Sequence, residues 1–141
     1  MVGKVLLISI RPQWVRQILA GRKTVELRRR PPSLNEPVPA LLYETSPAYR
    51  LRASCMIGPV RSGPPNALWD ELGRRSCASK EEYDAYFEGR ERAHGMDLRN
   101  VQEMPSHLTL DWLRREAGFV PPQSWAWASK RLLEAVEAIA C

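Results

Sequence analysis

The sequence predicts a mixed α+β domain in which a β-sheet or barrel is surrounded by helices. Some segments carry apolar residues at every second position, others carry them at helical spacing, and the two kinds interleave without strict alternation. Strict alternation would instead favour a doubly wound parallel sheet. A length of 141 residues is most simply one domain, residues 1–141, which is large enough to bury a core without disulfides or metal.

The first element is predicted to be a strand followed by a short helix. Residues 5–10 form an almost continuous apolar run, which is typical of a strand covered on both faces. Pro12 fits the first turn of a helix, where its missing N–H costs nothing. Val15 and Ile18 then lie on one helical face, and Gly21 is placed to end the helix.

A second strand is predicted from Thr24, where the apolar period changes to two. Glu26, Arg28 and Arg30 then share one side of this strand. These charges form either a solvated face with a weak ion pair, worth about 0–1 kcal/mol, or a functional cluster. In the second interpretation Lys23 and Arg28 donate to a phosphate, while Glu26 orients one of them or accepts from a base.

The positive charge of the protein is concentrated in this opening unit. Residues 1–30 carry eight Lys or Arg side chains against one acid, a net charge of +7, whereas residues 31–141 carry a net charge of −2. The net charge of +5 for the whole chain is therefore local. A cluster of this kind favours an anionic partner, although basic clusters alone are not specific.

The remaining segments follow from their apolar periods, capping residues and turn residues. They are a proline-rich loop at 30–39, a strand at 40–44, a turn at Thr45, Ser46 and Pro47, a strand at 49–60, a helix capped by Asn66, a helix with the capping box Ser79 and Glu82, a strand at 92–102, a helix capped by Thr109, a PPQSW loop at 121–125 and an amphipathic helix at 129–140.

The helix after Ser79 has an aromatic stripe with two interpretations. Tyr83, Tyr86 and Phe87 are spaced at i, i+3 and i+4, so they lie on one face. Such a stripe usually packs in a core, and we expect this for Phe87. Tyr83 and Tyr86 could instead offer a stacking surface for bases.

Several classes of protein are excluded by composition. No apolar run approaches the length of a membrane span, and the N-terminal run is too short for a signal peptide, so we expect a cytoplasmic protein. Cys55, Cys77 and Cys141 are widely spaced and predict reduced thiols rather than disulfides or a zinc site. His94 and His107 do not have the spacing of a metal-ligand pair, so neither a metal nor another cofactor is expected.

Four stretches of the sequence resemble the ASCH domain family, a branch of the PUA-like barrels. The G-x-K-T-x-E-x-R motif at 21–28 is the most specific of the matching features, and the resemblance covers most of the chain in order. It implies a small PUA-like β-barrel with flanking helices and a cleft above the glycine turn. The matching stretches are ISIRPQWVRQILAGRKTVELRRRPP, YETSPAYRL, SKEEYDAYFEGRERAHGMDL and NVQEMPSHLTLDWLRREAGFVPPQS.

The resemblance also implies a partner and a set of site residues. Members of the family are thought to bind RNA or modified nucleotides. The corresponding cleft residues here are Lys23, Glu26 and Arg28 from the motif, Ser46 and Pro47 from the turn, and Gln123 and Ser124 from the PPQSW loop. We expect Arg30 to contact the nucleic acid as well, and Tyr83 and Tyr86 to approach the rim of the cleft.

An enzymatic function is the alternative to simple binding. Acetylcytidine amidohydrolases of similar type use a lysine and a threonine three residues later, but here Glu26 occupies that position relative to Lys23. Because a carboxylate cannot act as the hydroxyl nucleophile, the sequence departs at Glu26 from the pattern of that activity. Either Glu81 or Glu82 could supply the distant carboxylate of such an enzyme. A ribonuclease fits better, with Lys23 stabilising a phosphorane and Glu26 acting as a base.

Three functions therefore remain open. The first is a module that holds single-stranded RNA or a modified nucleotide in a basic cleft, and the second is a hydrolase that uses the same cleft. The third is a protein-interaction domain without affinity for nucleic acid. The charge asymmetry and the family resemblance both favour the first.

Overall fold

The fold is built on a mixed sheet of six strands that curls into a half-barrel, as seen in a computed structural model that describes residues 3–140. The strand order is β2-β5-β4-β3-β1-β6. Among the strands of residues 3–140, only the β1–β3 pair is parallel. The strands are β1 (Leu6–Ile10), β2 (Val25–Leu27), β3 (Val38–Glu44), β4 (Arg50–Gly63), β5 (Ala93–Glu103) and β6 (Trp125–Trp127).

Five α-helices and one 3₁₀ helix pack around this sheet, which confirms the predicted mixed class. None of the helices within residues 3–140 has the length and apolar character needed to cross a membrane. The helices are α1 (Pro12–Leu19), α2 (Pro65–Leu72), α3 (Lys80–Tyr86), α4 (Leu110–Ala117) and α5 (Lys130–Ala140), and the 3₁₀ helix Gly73–Ser76 follows α2.

The predicted burial of β1 on both faces is confirmed. Every residue of β1 is buried, and the strand pairs with β3 on one side and β6 on the other. Leu6 and Ile8 pack with Ile18 of α1, whereas Leu7 packs on the opposite face with Leu113 of α4. A continuous apolar run is needed here because each face of the strand meets its own core.

The turn from α1 into β2 brings the basic motif back towards β1. Pro12 is the first residue of α1, and Gly21 adopts a φ of +79°, a left-handed conformation that favours glycine. The amide of Lys23 then donates to the Gln17 carbonyl. β2 pairs antiparallel with β5, with Glu26 opposite Met96.

Two local predictions were wrong. The N-cap of α2 is Pro64, followed by Pro65 in the first turn, rather than Asn66. A proline fits this position because its fixed φ suits a helix start. The segment predicted as a PPQSW loop runs into β6, where Trp125 pairs with Ile8. Three residues are too few to produce a recognisable strand period.

The predicted capping box of α3 is confirmed. The Ser79 hydroxyl accepts from the Glu82 amide at 3.0 Å, and the Glu82 carboxylate accepts from the Ser79 amide at 2.9 Å. This helix start fixes the direction of α3. As a result Tyr83 and Phe87 pack in the core, while Tyr86 stays half-buried at the surface.

The last segment forms α5, with Leu132 in the core as predicted. The predicted apolar face also included Ile139, whose side chain lies outside the described residues, as does Cys141. Cys55 and Cys77 are free thiols. Burial raises the pKa of the Cys55 thiol to about 12, so this cysteine is inert at neutral pH.

We expect Ser79→Ala to lower the free energy of unfolding by about 1 kcal/mol, because the Glu82 amide loses its side-chain cap. The thermal midpoint should fall by about 3 °C in a calorimetric scan. Ser106→Ala is the matched control, since Ser106 is exposed and has no side-chain hydrogen bond within residues 3–140. Equal midpoints for the two variants would show that the cap does not stabilise α3.

Candidate functional site

A cavity of about 600 Å³ opens between α3, the start of α1 and strand β2, and we call it the Glu26 cavity. Its volume lies within the range of about 300–1,000 Å³ that is usual for small-molecule sites. Apolar wall is contributed by Trp14, Leu27 and Tyr86, among others. The polar and charged side chains of its lining include Ser9, Arg11, Lys23, Glu26, Arg28, Arg29, Thr45, Glu82 and Gln123.

Glu26 is a buried carboxylate shared by two cations. It is 7% exposed, and the alternation of β2 turns it away from the buried Val25. Its Oε1 lies 3.3 Å from the Lys23 ammonium, and its Oε2 accepts from Arg28 Nη2 at 2.7 Å and from Arg28 Nε at 3.0 Å. A buried carboxylate requires partners of this kind, since an unpaired charge would be strongly disfavoured.

Lys23 is held from three sides. It is only 4% exposed, and its ammonium donates to the Ser76 carbonyl at 2.7 Å in addition to the contact with Glu26. It also lies 5.1 Å from the centre of the Trp14 ring, within the range of a cation–π contact. Of its three N–H groups, two are used by the Ser76 carbonyl and Glu26.

Arg28 connects β2 to the opposite side of the curled sheet. Nη2 donates to the Ser9 carbonyl on β1, and Nη1 donates to the Ser124 hydroxyl just before β6, both at 2.9 Å. Together with the two bonds to Glu26, these contacts use four of the five guanidinium N–H groups. Arg28 therefore bridges the two sides of the sheet, and its role as a phosphate donor stays a prediction.

Arg11 and Thr45 line the cavity, but the sequence patterns did not identify them. Thr45 donates its amide to the Ile10 carbonyl, and Ile10 is the register partner of Glu44. The residues that follow the parallel strands β1 and β3 thus meet at one edge of the sheet. Polar residues directly after a buried strand are a recognisable signal, but it becomes usable only once β1 and β3 are known to be parallel.

The Arg11 side chain is exposed and has no hydrogen bond or ion pair within residues 3–140. It differs in this respect from Lys23 and Arg28, which are both engaged by the protein. Arg11 therefore enters the cavity wall as a cation that is available to a ligand.

The two tyrosines proposed for stacking have different environments. Tyr83 is 1% exposed, its ring packs against Trp69 and Phe87, and its hydroxyl donates to the Pro65 carbonyl at 2.7 Å. Burial raises its pKa to about 12. Tyr83 is thus a core residue that also lines the Glu26 cavity. Tyr86 lies at the rim, with the Arg29 guanidinium 4.3 Å from its ring centre.

The other residues expected at the site are dispersed around it. Gln123 lines the cavity, and Ser124 reaches it only through its bond to Arg28. Ser46 and Pro47 are exposed and lie outside the lining of the Glu26 cavity, so the turn contributes Thr45 instead. Arg30 is also outside the lining, and its carbonyl accepts from the Trp125 indole at 2.9 Å.

Residues 3–140 contain no cluster of three or more His, Cys, Asp or Glu side chains placed to hold a metal ion. Neither described histidine lines the Glu26 cavity. The lining supplies carboxylates, hydroxyls, an amide, an ammonium group and guanidinium groups.

Comparison with known proteins finds one relative along almost the whole chain. An ASCH domain-containing ribonuclease from Zymomonas mobilis subsp. mobilis is 36% identical over 133 residues, which cover 90% of this chain and 86% of the relative. No protein-family model matches the sequence.

Solved structures agree with this relationship. The crystal structure of an ASCH protein from Zymomonas mobilis superposes with a TM-score of 0.88 at 33% identity, covering 96% of this chain and 95% of the other. The N-terminal domain of McrB from Staphylothermus marinus gives a TM-score of 0.55 at 10% identity, covering 95% and 93% of the two chains. That second likeness shows the fold alone.

We expect Arg28→Ala to lower the free energy of unfolding by about 3 kcal/mol, because it removes a partner from a buried carboxylate. Ser124→Ala removes only the exposed bond to Arg28 and should cost about 1 kcal/mol or less. Urea unfolding of the two variants and the wild type measures the difference. If the two substitutions cost the same, the bridge formed by Arg28 is not structural.

Proposed function

The chain belongs to the ASCH domain family, and we propose that it binds single-stranded RNA in the Glu26 cavity and cleaves it there. The observation that carries the proposal is the charge of the lining, in which four cations face two acids. A basic cleft of this size suits a nucleotide unit of a flexible, anionic strand. The acids are Glu26 and Glu82, and the cations are Arg11, Lys23, Arg28 and Arg29.

Binding would use the polar and the apolar wall for different parts of the nucleotide. The phosphate contacts Arg11 and the remaining N–H of Lys23, since these donors are not taken up by the protein. The base packs on the apolar wall formed by Trp14, Leu27 and Tyr86. The ribose then lies between them, with its 2′-hydroxyl close to the scissile phosphate.

Cleavage would follow the intrinsic chemistry of RNA. The 2′-oxygen attacks the adjacent phosphorus, the P–O5′ bond breaks, and the 5′-oxygen takes a proton from solvent. The negative charge that builds up on the phosphorane is stabilised by Lys23 and Arg11. A ribonuclease among the relatives supports this reaction class.

The base that removes the 2′-hydroxyl proton is assigned to Glu82 rather than Glu26. Both oxygens of Glu26 are in contact with Lys23 or Arg28, so in the proposed reaction Glu26 orients these cations. In Glu82, Oε1 accepts from the Ser79 amide, and Oε2 has no hydrogen bond within residues 3–140. A carboxylate in this position can accept a proton.

A binding module without cleavage is the second candidate. Two observations favour it: both oxygens of the buried acid Glu26 are in contact with cations, and no described histidine lines the wall. An amidohydrolase has less support, since the Thr24 hydroxyl accepts from Arg75 and lies outside the lining. For either candidate we propose the cytoplasm, where RNA is present and the free thiols of Cys55 and Cys77 stay reduced.

Labelled single-stranded RNA should be titrated with the wild type and Arg11→Ala, with each sample divided between a native and a denaturing gel. We expect Arg11→Ala to weaken binding about tenfold, because one charge-assisted bond to phosphate is lost. Arg115→Ala is the matched control, an exposed arginine on α4 outside both cavities. Equal affinities for these two variants would contradict a phosphate contact at Arg11.

The denaturing gel tests the catalytic role of Glu82. Glu82→Gln keeps an acceptor for the Ser79 amide but removes the base, so cleavage should slow at least about 100-fold while binding and thermal stability stay unchanged. RNA that is shifted but never shortened by the wild type would favour the binding module. Undiminished cleavage by Glu82→Gln would reject Glu82 as the base.

A further inference from the structure

A second cavity lies beside the first, and it has no role in the proposed reaction. It has a volume of about 320 Å³, and we call it the Arg50 pocket. Its charged lining consists of Arg16, Glu44, Arg50 and Arg52, a net charge of +2, and Pro47 forms part of its wall.

One buried carboxylate organises the arginines of this pocket. Glu44 is 4% exposed, and its Oε1 lies 3.3 Å from Arg50 Nε and 3.7 Å from Arg52 Nε. Arg52 also pairs through Nη1 with the exposed Glu103. The terminal Nη groups of Arg50 donate no hydrogen bond within residues 3–140, so their N–H groups remain available to an anion.

Arg16 supplies a further uncommitted cation. It lies in the last turn of α1, its side chain is exposed, and it has no ion pair or side-chain hydrogen bond within the described chain. Arg16 and the terminal groups of Arg50 thus line one small pocket with donors that the protein does not use. Guanidinium groups bind phosphate oxygens in this way, often with two parallel hydrogen bonds.

The two cavities share a wall built from consecutive residues. Arg11 lines the Glu26 cavity, and the next residue, Pro12, lines the Arg50 pocket. Likewise, Glu44 lines the Arg50 pocket, and the next residue, Thr45, lines the Glu26 cavity. Because consecutive Cα atoms are only about 3.8 Å apart, the two linings are adjacent at both places. A strand that leaves one cavity over this wall meets the lining of the other.

We propose that the Arg50 pocket binds the phosphate of the RNA nucleotide next to the one in the Glu26 cavity. This inference rests on the proposed function and adds to it a substrate requirement. The ligand must be an RNA strand that extends beyond one nucleotide. A mononucleotide with its single phosphate in the Glu26 cavity has no second phosphate for the Arg50 pocket.

Arg16→Ala tests this assignment, and Arg115→Ala again serves as the control for loss of one exposed positive charge. Arg50 and Arg52 are less suitable, because their removal would leave Glu44 with fewer partners. The probes are a fluorescent decauridylate with 2′-O-methyl groups, which cannot be cleaved through the 2′-oxygen, and uridine 3′-monophosphate, which carries only the phosphate assigned to the Glu26 cavity. Binding is measured at several salt concentrations.

We expect Arg16→Ala to weaken decamer binding about 5- to 10-fold and to reduce the slope of log K against log salt by about 0.7, as for one phosphate contact on a single strand. Affinity for the mononucleotide should stay within about twofold of the wild type, and Arg115→Ala should leave both affinities within that range. Arg16→Lys should recover part of the loss, since it restores the charge without the planar guanidinium.

Other outcomes separate failure of this inference from failure of the proposed function. If the wild type binds both probes but Arg16→Ala binds the decamer equally well, the Arg50 pocket assignment is overturned and the Glu26 cavity still stands. Equal losses for Arg16→Ala and Arg115→Ala would also overturn it, because the effect would then be general electrostatics. Arg16-dependent binding of inorganic phosphate without any effect on the decamer would make the pocket a small-anion site. Absence of binding to either probe by the wild type would reject both proposals.

Discussion

The candidate site depends on one buried carboxylate, Glu26, held between Lys23 and Arg28. Desolvation offsets much of the attraction within such a cluster, so its net contribution to stability is small even though removal of one member is costly. Its main effect is geometric. It ties the glycine turn, β2 and the Ser76 carbonyl to one point, and so fixes the wall of the cavity.

The same interaction explains why the curled sheet leaves an opening. β2 is only three residues long and pairs with β5, while β1 and β6 form the other end of the strand order. Arg28 spans the gap with side-chain bonds to Ser9 and Ser124, and the Ser9 amide donates to the Ser124 carbonyl. A full backbone ladder would bring the strands to about 4.8 Å and fill this space. A bridge made by one side chain joins the strands and keeps a cavity between α3 and β2.

Local patterns predicted the elements well, because β1, α1 and the caps at Ser79 and Thr109 are determined by neighbouring residues. Lys23, Glu26 and Arg28 were found for the same reason, since one turn and one strand bring them together. Thr45 was missed although the adjacent Ser46 was named. At the end of a strand, neighbouring residues point to opposite faces of the sheet, so an error of one residue selects the wrong side chain. Here the Thr45 amide donates to the Ile10 carbonyl, and it is Thr45 rather than Ser46 that lines the cavity.

The net charge of a sequence segment overstates the number of cationic side chains that a ligand can contact. Residues 1–30 carry eight cationic side chains, but several are engaged by the protein: Lys23 and Arg28 by Glu26, Lys4 by the Trp127 ring, Arg22 by Gln17 and Arg29 by Tyr86. Within the described residues, only Arg11, Arg16 and Arg30 among the eight have side chains without such contacts.

Phosphate affinity depends on cations that exchange counterions for the ligand, and not on those already paired. Arg11 and Arg16 are such cations, and they lie at opposite ends of α1 with one cavity each. In the proposed complex, the RNA strand therefore follows this short helix from one cavity to the other, while the buried Lys23 and Arg28 shape the Glu26 cavity.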